Sequence, residues 1–231
     1  MITHKRIVGV AFFSSLVCVV IGFCFSANAT PLAVNSAILA TTLPGTAGGI
    51  LQADSGALAF TATSFSGTLD SKVFVNDPAN PFGPGFLTFQ YEVKNLAGPD
   101  SIERFNVNGY GIPGLQTDAS FFPTAGALPP TSFDRSSAAT AGDVVGANYS
   151  APPLGLGLLP PGDNGEILVI HTNYTQFNLS TASLIDGSTA QVQSYSPLFT
   201  FGAPEPATVC LLAGGAIGLV LTRRRFVRSG R

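Results

Sequence analysis

The sequence contains one clear β-strand signal, Leu87-Thr88-Phe89-Gln90-Tyr91-Glu92-Val93-Lys94. Large apolar side chains alternate with polar ones along this stretch, and a period of two is typical of a strand with one face in the core and the other in water. Turn residues fill positions 95–100, and residues 102–110 again carry apolar side chains on one side, at Phe105 and Val107. We therefore predict that residues 87–94 and 102–110 form an antiparallel hairpin.

Shorter segments of the same kind fill the rest of the body. Residues 167–170 read Ile-Leu-Val-Ile, and a run that is apolar on both faces predicts a central strand covered on both sides. Two further strands are expected at residues 179–185 and 189–195, separated by Asp186-Gly187-Ser188. Because short strands alternate with turns and no long amphipathic helix is present, residues 30–203 are predicted to form one all-β domain, an antiparallel β-sandwich or jelly roll.

The charge of the body differs from that of the chain ends. The whole chain has a formal net charge of -2, but residues 30–203 contain four basic and twelve acidic residues, a formal charge of -8. An acidic body has no electrostatic footprint for nucleic acid, so no nucleic-acid partner is expected. The three cysteines are Cys18, Cys24 and Cys210, all in the terminal segments. The body therefore contains no disulfide, cysteine-ligated zinc or cysteine nucleophile.

Residues 1–29 have the three-part composition of a secretory signal peptide. Lys5 and Arg6 precede an apolar stretch at residues 7–25, and small residues follow at Ala27 and Ala29. We expect the Sec machinery to export the chain and signal peptidase to cut after Ala29. The alternative is an uncleaved transmembrane anchor, since the apolar stretch approaches the length of a membrane span.

One histidine remains after removal of the signal peptide. It is His171, in the most apolar of the expected strands. A metal site of several histidines is therefore impossible within one chain, and no G-x-S-x-G motif accompanies His171 to support a Ser-His-Asp site. We interpret His171 as a structural or partly exposed strand histidine, and we assign no catalytic residue, cofactor or metal to the chain.

A glycine pattern at residues 109–114 matches G-x-G-x-x-G and follows an expected strand. In a dinucleotide-binding site this pattern opens a helix whose N-terminus meets the phosphates. Here Pro113 and Gly114 lead into residues without a helical period. We interpret residues 109–114 as a turn.

Acidic residues near turns allow two further hypotheses. Asp77 lies close to Asn76 and Asn80, and Asp100 lies close to Glu103. Such oxygen atoms could bind calcium, and a pair of carboxylates could support glycoside hydrolysis. Neither set has a diagnostic spacing, and acids scattered over loops are most simply a solvated surface.

Aromatic residues near turns support a different binding hypothesis. A β-sandwich could present such rings to sugars, and this is the basis for an alternative function as a carbohydrate-binding module. Packing in the core is the competing interpretation for each ring. The residues concerned are Phe82, Phe86, Tyr110, Phe121, Phe122 and Tyr149.

The C-terminal residues 204–231 contain three units in series. The motif Pro204-Glu205-Pro206 is followed by a Gly- and Ala-rich apolar run at residues 207–222 and by Arg223-Arg224-Arg225. A helix over the apolar run would be about 24 Å long at 1.5 Å per residue, less than the roughly 30 Å of a bilayer core. It would span the membrane only with local thinning or snorkelling arginines. The arginines should stay in the cytoplasm, which places the proline motif outside as an extended, accessible ribbon.

These three units resemble the PEP-CTERM sorting tail of exported bacterial proteins. The resemblance covers residues 204–231 and is closest at Pro-Glu-Pro-Ala-Thr, while Cys210 and the remainder at 226–231 depart from the pattern. It implies recognition by an integral-membrane exosortase, cleavage near the motif, and delivery from an inner-membrane intermediate to the cell surface or the exopolysaccharide matrix. The alternative is an ordinary C-terminal anchor.

Together, these observations predict an exported, non-enzymatic protein with a structural or interaction role linked to exopolysaccharide or biofilm. A carbohydrate-binding β-sandwich is the main alternative, and a secreted hydrolase is the less favoured one. The expected domains are a signal peptide at residues 1–29, the β domain at 30–203 and the sorting tail at 204–231 with its single transmembrane helix.

Overall fold

The computed structural model describes residues 31–43, 48–136, 143–149 and 158–198. These residues form eleven strands and no helix, which confirms the all-β prediction for this part of the chain. No helix within these ranges is long and apolar enough to cross a membrane. The signal peptide and the sorting tail, with the helices expected in them, lie outside the described residues.

The strands pair into two antiparallel sheets. In chain order they are β1 Ser36–Leu39, β2 Ile50–Thr61, β3 Ser66–Val75, β4 Leu87–Ala97, β5 Arg104–Val107, β6 Thr117–Phe122, β7 Ser132–Arg135, β8 Val145–Asn148, β9 Ile167–Thr172, β10 Phe177–Asp186 and β11 Ser188–Pro197. A six-stranded sheet has the order β1-β7-β8-β5-β10-β11, and a five-stranded sheet has the order β2-β3-β4-β9-β6.

The two sheets enclose one hydrophobic core. Phe89 and Tyr91 of β4 contribute to it from the five-stranded sheet, and Phe105 of β5 contributes from the six-stranded sheet. The ring centroids of Tyr91 and Phe105 are 5.3 Å apart, and the Tyr91 hydroxyl donates to the Tyr195 carbonyl of β11 at 2.6 Å. Burying each such side chain contributes about 1.5–3 kcal/mol. This arrangement is consistent with the predicted β-sandwich.

Three predicted strands have the expected positions. The strand β9 lies between β4 and β6, and Leu168, Val169 and Ile170 are buried on both of its faces. The strands β10 and β11 pair along their full lengths, from Phe177 with Pro197 to Asp186 with Ser188. Gly187 closes this pair with a φ of 59°, a left-handed conformation that glycine adopts without steric cost.

The predicted hairpin of residues 87–94 with 102–110 is wrong. The strand β4 pairs with β3 and β9, whereas β5 pairs with β8 and β10 in the other sheet. The connection therefore carries the chain from one sheet to the other. Asn95 fastens it by donating to the carbonyls of Asp100 at 3.1 Å and Leu159 at 3.0 Å. Alternation fixes which side chains enter the core, but it does not fix which strand is the neighbour.

We call the side of the five-stranded sheet that faces away from the core the outer face. Along β4, the alternation of side chains predicts that this face lies in water. It is partly covered instead. Thr88 of β4 is fully buried and Gln90 is 8% exposed, whereas Glu92 and Lys94 are half-exposed. Thr88 lies next to the segment 76–86, whose Asn80 reaches the start of β4. The outer face therefore has a covered end near Thr88 and an open end near Glu92.

Candidate functional site

A buried cluster of one histidine and two carboxylates occupies the covered end of the outer face. His171 of β9 is fully buried. Its Nδ1 atom is 3.0 Å from Asp118 Oδ2 of β6, and its Nε2 atom is 3.5 Å from Asp77 Oδ2 in the segment 76–86. The first contact is a hydrogen bond, and the second is an ion pair beyond ordinary hydrogen-bond length.

Strand register places these groups together. His171 is opposite Asp118 on β6 and opposite Thr88 on β4, so the three side chains share one face. Asp77 reaches the same face because the segment after β3 folds back over it. The Asp77 Oδ1 atom accepts from the Ala79 amide at 2.9 Å, which fixes the carboxylate. The cluster thus joins two strands and a loop.

The electrostatics of the cluster favour a charged histidine. Burial alone lowers the pKa of His171, but the hydrogen bond with Asp118 and the negative charges of Asp118 and Asp77 outweigh it and raise the pKa above the ordinary 6.5. Burial raises the pKa of Asp77, yet the interaction with His171 and the Ala79 amide hold it below the ordinary 3.8. The pair is therefore ionised over a common range of pH.

This geometry does not suit catalysis by His171. A Ser-His-Asp site needs an imidazole nitrogen that can take a proton from a nucleophile beside the substrate. Here Nδ1 meets Asp118 and Nε2 faces Asp77, and none of the side chain reaches solvent. The arrangement can hold a proton and fix the segment 76–86 against the sheet. The structural interpretation of His171 fits these contacts.

The hypothesised calcium ligands around Asp77 make hydrogen bonds within the segment 76–86. Asn76 Oδ1 accepts from the Gly85 amide at 2.9 Å, and Asn80 Oδ1 accepts from the Phe82 amide at 3.0 Å. Within the described ranges, no group of three or more His, Cys, Asp or Glu side chains is arranged to hold a metal ion. The structure therefore brings Asp77 to His171 and not to a set of oxygen ligands.

The acids Asp100 and Glu103 lie in the connection between the sheets. The Asp100 amide donates to the Ser64 carbonyl at 3.3 Å, and the Glu103 amide donates to the Ile185 carbonyl at 3.0 Å. Asp100 lies near Asp186. Burial and the negative charge of Asp100 raise the pKa of Asp186. These contacts hold the connection against β10 and against the turn between β2 and β3.

The glycine pattern at residues 109–114 is a loop, as predicted. Asp143 Oδ1 accepts from the Gly109 amide at 2.9 Å and from the Gly111 amide at 3.3 Å. Arg135 supports the same loop by donating to the Tyr110 carbonyl at 2.6 Å. The amides that would meet a phosphate in a dinucleotide site are thus already paired with a carboxylate of the protein.

The aromatic residues proposed for sugar binding divide into two groups. Tyr110, Phe121 and Tyr149 are buried and belong to the core, so their assignment to an exposed platform is wrong. The remaining residues, Phe82, Phe86 and Phe122, are half-buried. Long strands and covering loops on both sheets supply enough surface to bury rings that lie near turns in the sequence.

A second polar network, on the six-stranded sheet, was not predicted from the sequence. Arg104 donates to both carboxylate oxygens of Asp134 at 2.6 Å and to Asn148 Oδ1 at 2.7 Å. Gly146 leaves room for it, because a Cβ atom there would lie 2.4 Å from an Arg104 guanidinium nitrogen and would displace that group. The register of β5, β7 and β8 brings these residues together, and no local spacing indicates it.

The predicted cleavage and sorting residues lie outside the described residues. They are Ala27, Ala29, the motif at 204–206 and the arginines at 223–225. Comparison of the whole chain with protein-family models, with curated proteins and with solved structures gives no significant match.

Proposed function

We propose that this chain is an exported protein whose tail is handled by an exosortase and whose β-sandwich body has a non-enzymatic structural or interaction role at the cell surface or in the extracellular matrix. The observation that carries the proposal is the order of three units at residues 204–231, namely the Pro-Glu-Pro motif, the apolar run and the arginine cluster. The signal peptide expected at residues 1–29 would direct the chain into the export pathway, as this proposal requires.

The length of the apolar run supports a temporary anchor. A helix over residues 207–222 would be about 24 Å long, shorter than the roughly 30 Å hydrocarbon core, and such mismatch has an energetic cost. The arginines hold the C-terminus in the cytoplasm, and the proline motif then lies at the outer surface of the inner membrane. An enzyme at that surface can bind the extended motif, cut the chain and release the body.

One feature of the body supports a non-enzymatic role. His171, the single histidine expected in the mature protein, is enclosed by Asp77 and Asp118 and withdrawn from any substrate. A secreted hydrolase, the less favoured alternative, would need carboxylates at another place on the surface.

The test separates the motif from the apolar run. Replacement of Pro204, Glu205 and Pro206 by alanine should leave the protein in the inner membrane with its tail intact, because the processing enzyme loses its recognition segment. Cys210→Ser, inside the span, is the matched control and should be processed normally. Cell fractionation with antibodies against the body gives the readout. Normal release of the alanine variant would reject exosortase handling.

A further inference from the structure

The chain leaves the β-sandwich at one end of the molecule. The amide of Leu198, the last described residue, donates to the Gln176 carbonyl at 2.9 Å. Leu198 therefore lies beside the loop 173–176, which joins β9 to β10. We call this end of the sandwich the exit end, because residues 199–231 with the expected sorting tail follow from it in the sequence.

Three connections form one surface at the exit end. The Tyr174 hydroxyl donates to the Pro113 carbonyl at 3.1 Å, which joins the loop 173–176 to the connection between β5 and β6. The Tyr174 carbonyl accepts from the Leu87 amide at 2.9 Å, which joins the same loop to the end of the segment 76–86. The three connections thus lie side by side around the point where the chain leaves the body.

This surface is almost free of charge. The segments 76–86, 108–116 and 173–176 contain one charged residue, Asp77, and its carboxylate is buried against His171. Uncharged groups and aromatic rings are suited to the interface between water and a lipid bilayer. The segments present exposed prolines and half-buried rings, namely Pro81, Pro84, Pro113, Phe82, Phe86 and Tyr174.

The opposite end of the sandwich carries the acidic groups. Four half-exposed carboxylates lie in or beside its turns, namely Asp100, Glu103, Asp163 and Asp186. Lys94 and Arg104 lie near them but are paired with Glu92 and Asp134. Among the described residues of the exit end, the comparable acid is Asp143, whose Oδ1 already accepts two backbone amides. An anionic lipid surface therefore repels the opposite end more than the exit end.

The length of chain before the tail limits which end can reach a membrane. At roughly 3.3–3.6 Å per residue, residues 199–206 reach at most about 30 Å. The strand β10, Phe177–Asp186, runs from the exit end to the opposite end and covers about 33 Å at about 3.3 Å per residue. A body that met the membrane with its opposite end would hold Leu198 at or beyond the limit of this reach, whereas the exit end can rest on the bilayer.

We propose that the exit end, formed by the segments 76–86, 108–116 and 173–176, docks on the lipid bilayer while the C-terminal tail is still in the membrane. The inference rests on the proposed function, which supplies the anchored state, and it identifies the surface that faces the lipid. Docking would keep the motif at residues 204–206 at the membrane surface, within reach of a processing enzyme in the same membrane.

The test uses the full chain, reconstituted into vesicles of phosphatidylethanolamine and phosphatidylglycerol. The chain contains no tryptophan, so one substitution places a single fluorescent reporter at either end. Phe82→Trp, at the exit end, should lose at least about half of its emission when the lipids carry bromine near the headgroup, because a ring at the membrane interface lies beside this quencher. Leu96→Trp, an exposed position at the opposite end of β4, is the matched control and should keep its emission.

A second pair of variants tests the lack of charge at the exit end. Gln176→Glu adds a carboxylate there and, in the Phe82→Trp chain, should lower the ratio of docked to undocked molecules about fivefold on these anionic vesicles. Asn164→Asp adds the same charge at an exposed position of the opposite end and should leave the quenching unchanged. Equal quenching in the two variants would contradict docking by the exit end.

Three further results would overturn this inference. One is equal quenching, or none, at both reporters in vesicles that hold the tail protected from protease, which leaves the proposed function intact. Another is a blue-shifted emission of Phe82→Trp without quenching, which would show that a second copy of the chain covers the exit end. The third is a chain that does not float with the vesicles, which would overturn the membrane anchor of the proposed function as well.

Discussion

The two ends of one sheet surface have similar side chains and different roles. Both ends of the outer face carry carboxylates and polar groups, from β3 and β4 at the open end and from β4, β6, β9 and the segment 76–86 at the covered end. At the covered end, the segment 76–86 folds over the face and Asp77 encloses His171. At the open end, Asp70 and Gln90 line a depression at the surface. A loop thus encloses one part of the face around a structural ion pair and leaves the other part partly exposed.

The difference shows why residue types alone do not identify a site. A histidine between two carboxylates suggests acid–base chemistry, but His171 is buried away from any substrate. Its removal would leave the two buried carboxylates without their cation, so its contacts matter for stability. Among the described residues, both ends contain buried polar atoms without a hydrogen-bond partner, but His171 Nε2 and Asp77 Oδ2 at the covered end lie 3.5 Å apart as an ion pair. Variants should therefore lose much stability at the covered end, where the charges are enclosed, and little at the open end, where the ion pairs are partly exposed.

The largest expected effect is on the covered end. His171→Ala should lower the free energy of unfolding by about 3–5 kcal/mol, because it leaves two carboxylates buried without their cation. Asp70→Asn at the open end is the contrasting variant and should change it by about 0.5 kcal/mol or less. Urea denaturation at pH 6 measures both. Similar free energies for the two variants would contradict the distinction between the ends.

A smaller effect on stability is expected from a substitution in the segment 76–86, which covers this end of the outer face. The Asn80 side chain donates to the Leu87 carbonyl at 3.1 Å and is buried. Asn80→Ala removes this hydrogen bond and the one that Asn80 Oδ1 accepts from the Phe82 amide, while the Leu87 carbonyl keeps the Thr172 hydroxyl, and it should cost about 1–3 kcal/mol. Hydrogen exchange should also show faster exchange in residues 76–86. Gln52→Ala, on the exposed part of β2, is the control, and equal losses in both variants would contradict a specific role of the loop.

The third effect is a dependence on pH. Because the folded pKa of His171 lies above 6.5, the stabilisation from its charge is complete below about pH 6.5 and is lost as the pH rises through the folded value. The lowered pKa of Asp77 gives the opposite limb, with stabilisation present above about pH 3.8 and lost as the pH falls through the folded value. The cluster thus stabilises most between these limits.

Thermal unfolding from pH 5.5 to 9 tests the alkaline limb. The wild type should lose stability across this interval, and a His171→Ala variant, lacking the titrating group, should show a flatter profile. Asp77 and Asp118 are the charged groups that face the imidazole, and the lowered pKa of Asp77 keeps that carboxylate ionised over this interval. An equal slope in the two proteins would show that other groups cause the loss.

The smallest effect is expected at the open end. Lys72→Met removes half-exposed ion pairs with Asp70 and Asp54 and should change the free energy of unfolding by about 0.5 kcal/mol or less. Urea denaturation of Lys72→Met beside the wild type measures this change. A loss of more than about 1 kcal/mol would contradict the assignment of these ion pairs to an exposed surface.

Local patterns predicted the strands better than their pairing. The alternation at residues 87–94 and the apolar run at 167–170 identified β4 and β9, since side-chain period reports directly on the faces of a strand. The same alternation suggested a hairpin with residues 102–110, but those residues pair in the opposite sheet. Both arrangements bury Phe105 and Val107, so the pattern does not distinguish them.

The candidate sites depended on contacts between distant residues. Asp118 was not singled out because it is a lone acid in a polar strand, and only the register of β6 with β9 places it beside His171. Gln90 was expected in water because nothing near it in the chain indicates that its face is covered. Tyr110 and Tyr149 were expected near turns, and the packing of the two sheets encloses them.

The intact mass of the wild-type protein recovered from the extracellular matrix tests the central claim most directly. The proposed function requires that the body reach the matrix without its two terminal segments. We expect a chain that begins at Thr30 and ends near the motif at residues 204–206, in cells that contain the exosortase. A chain that still ends at Arg231 in those cells, or one that keeps residues 1–29, would contradict the account.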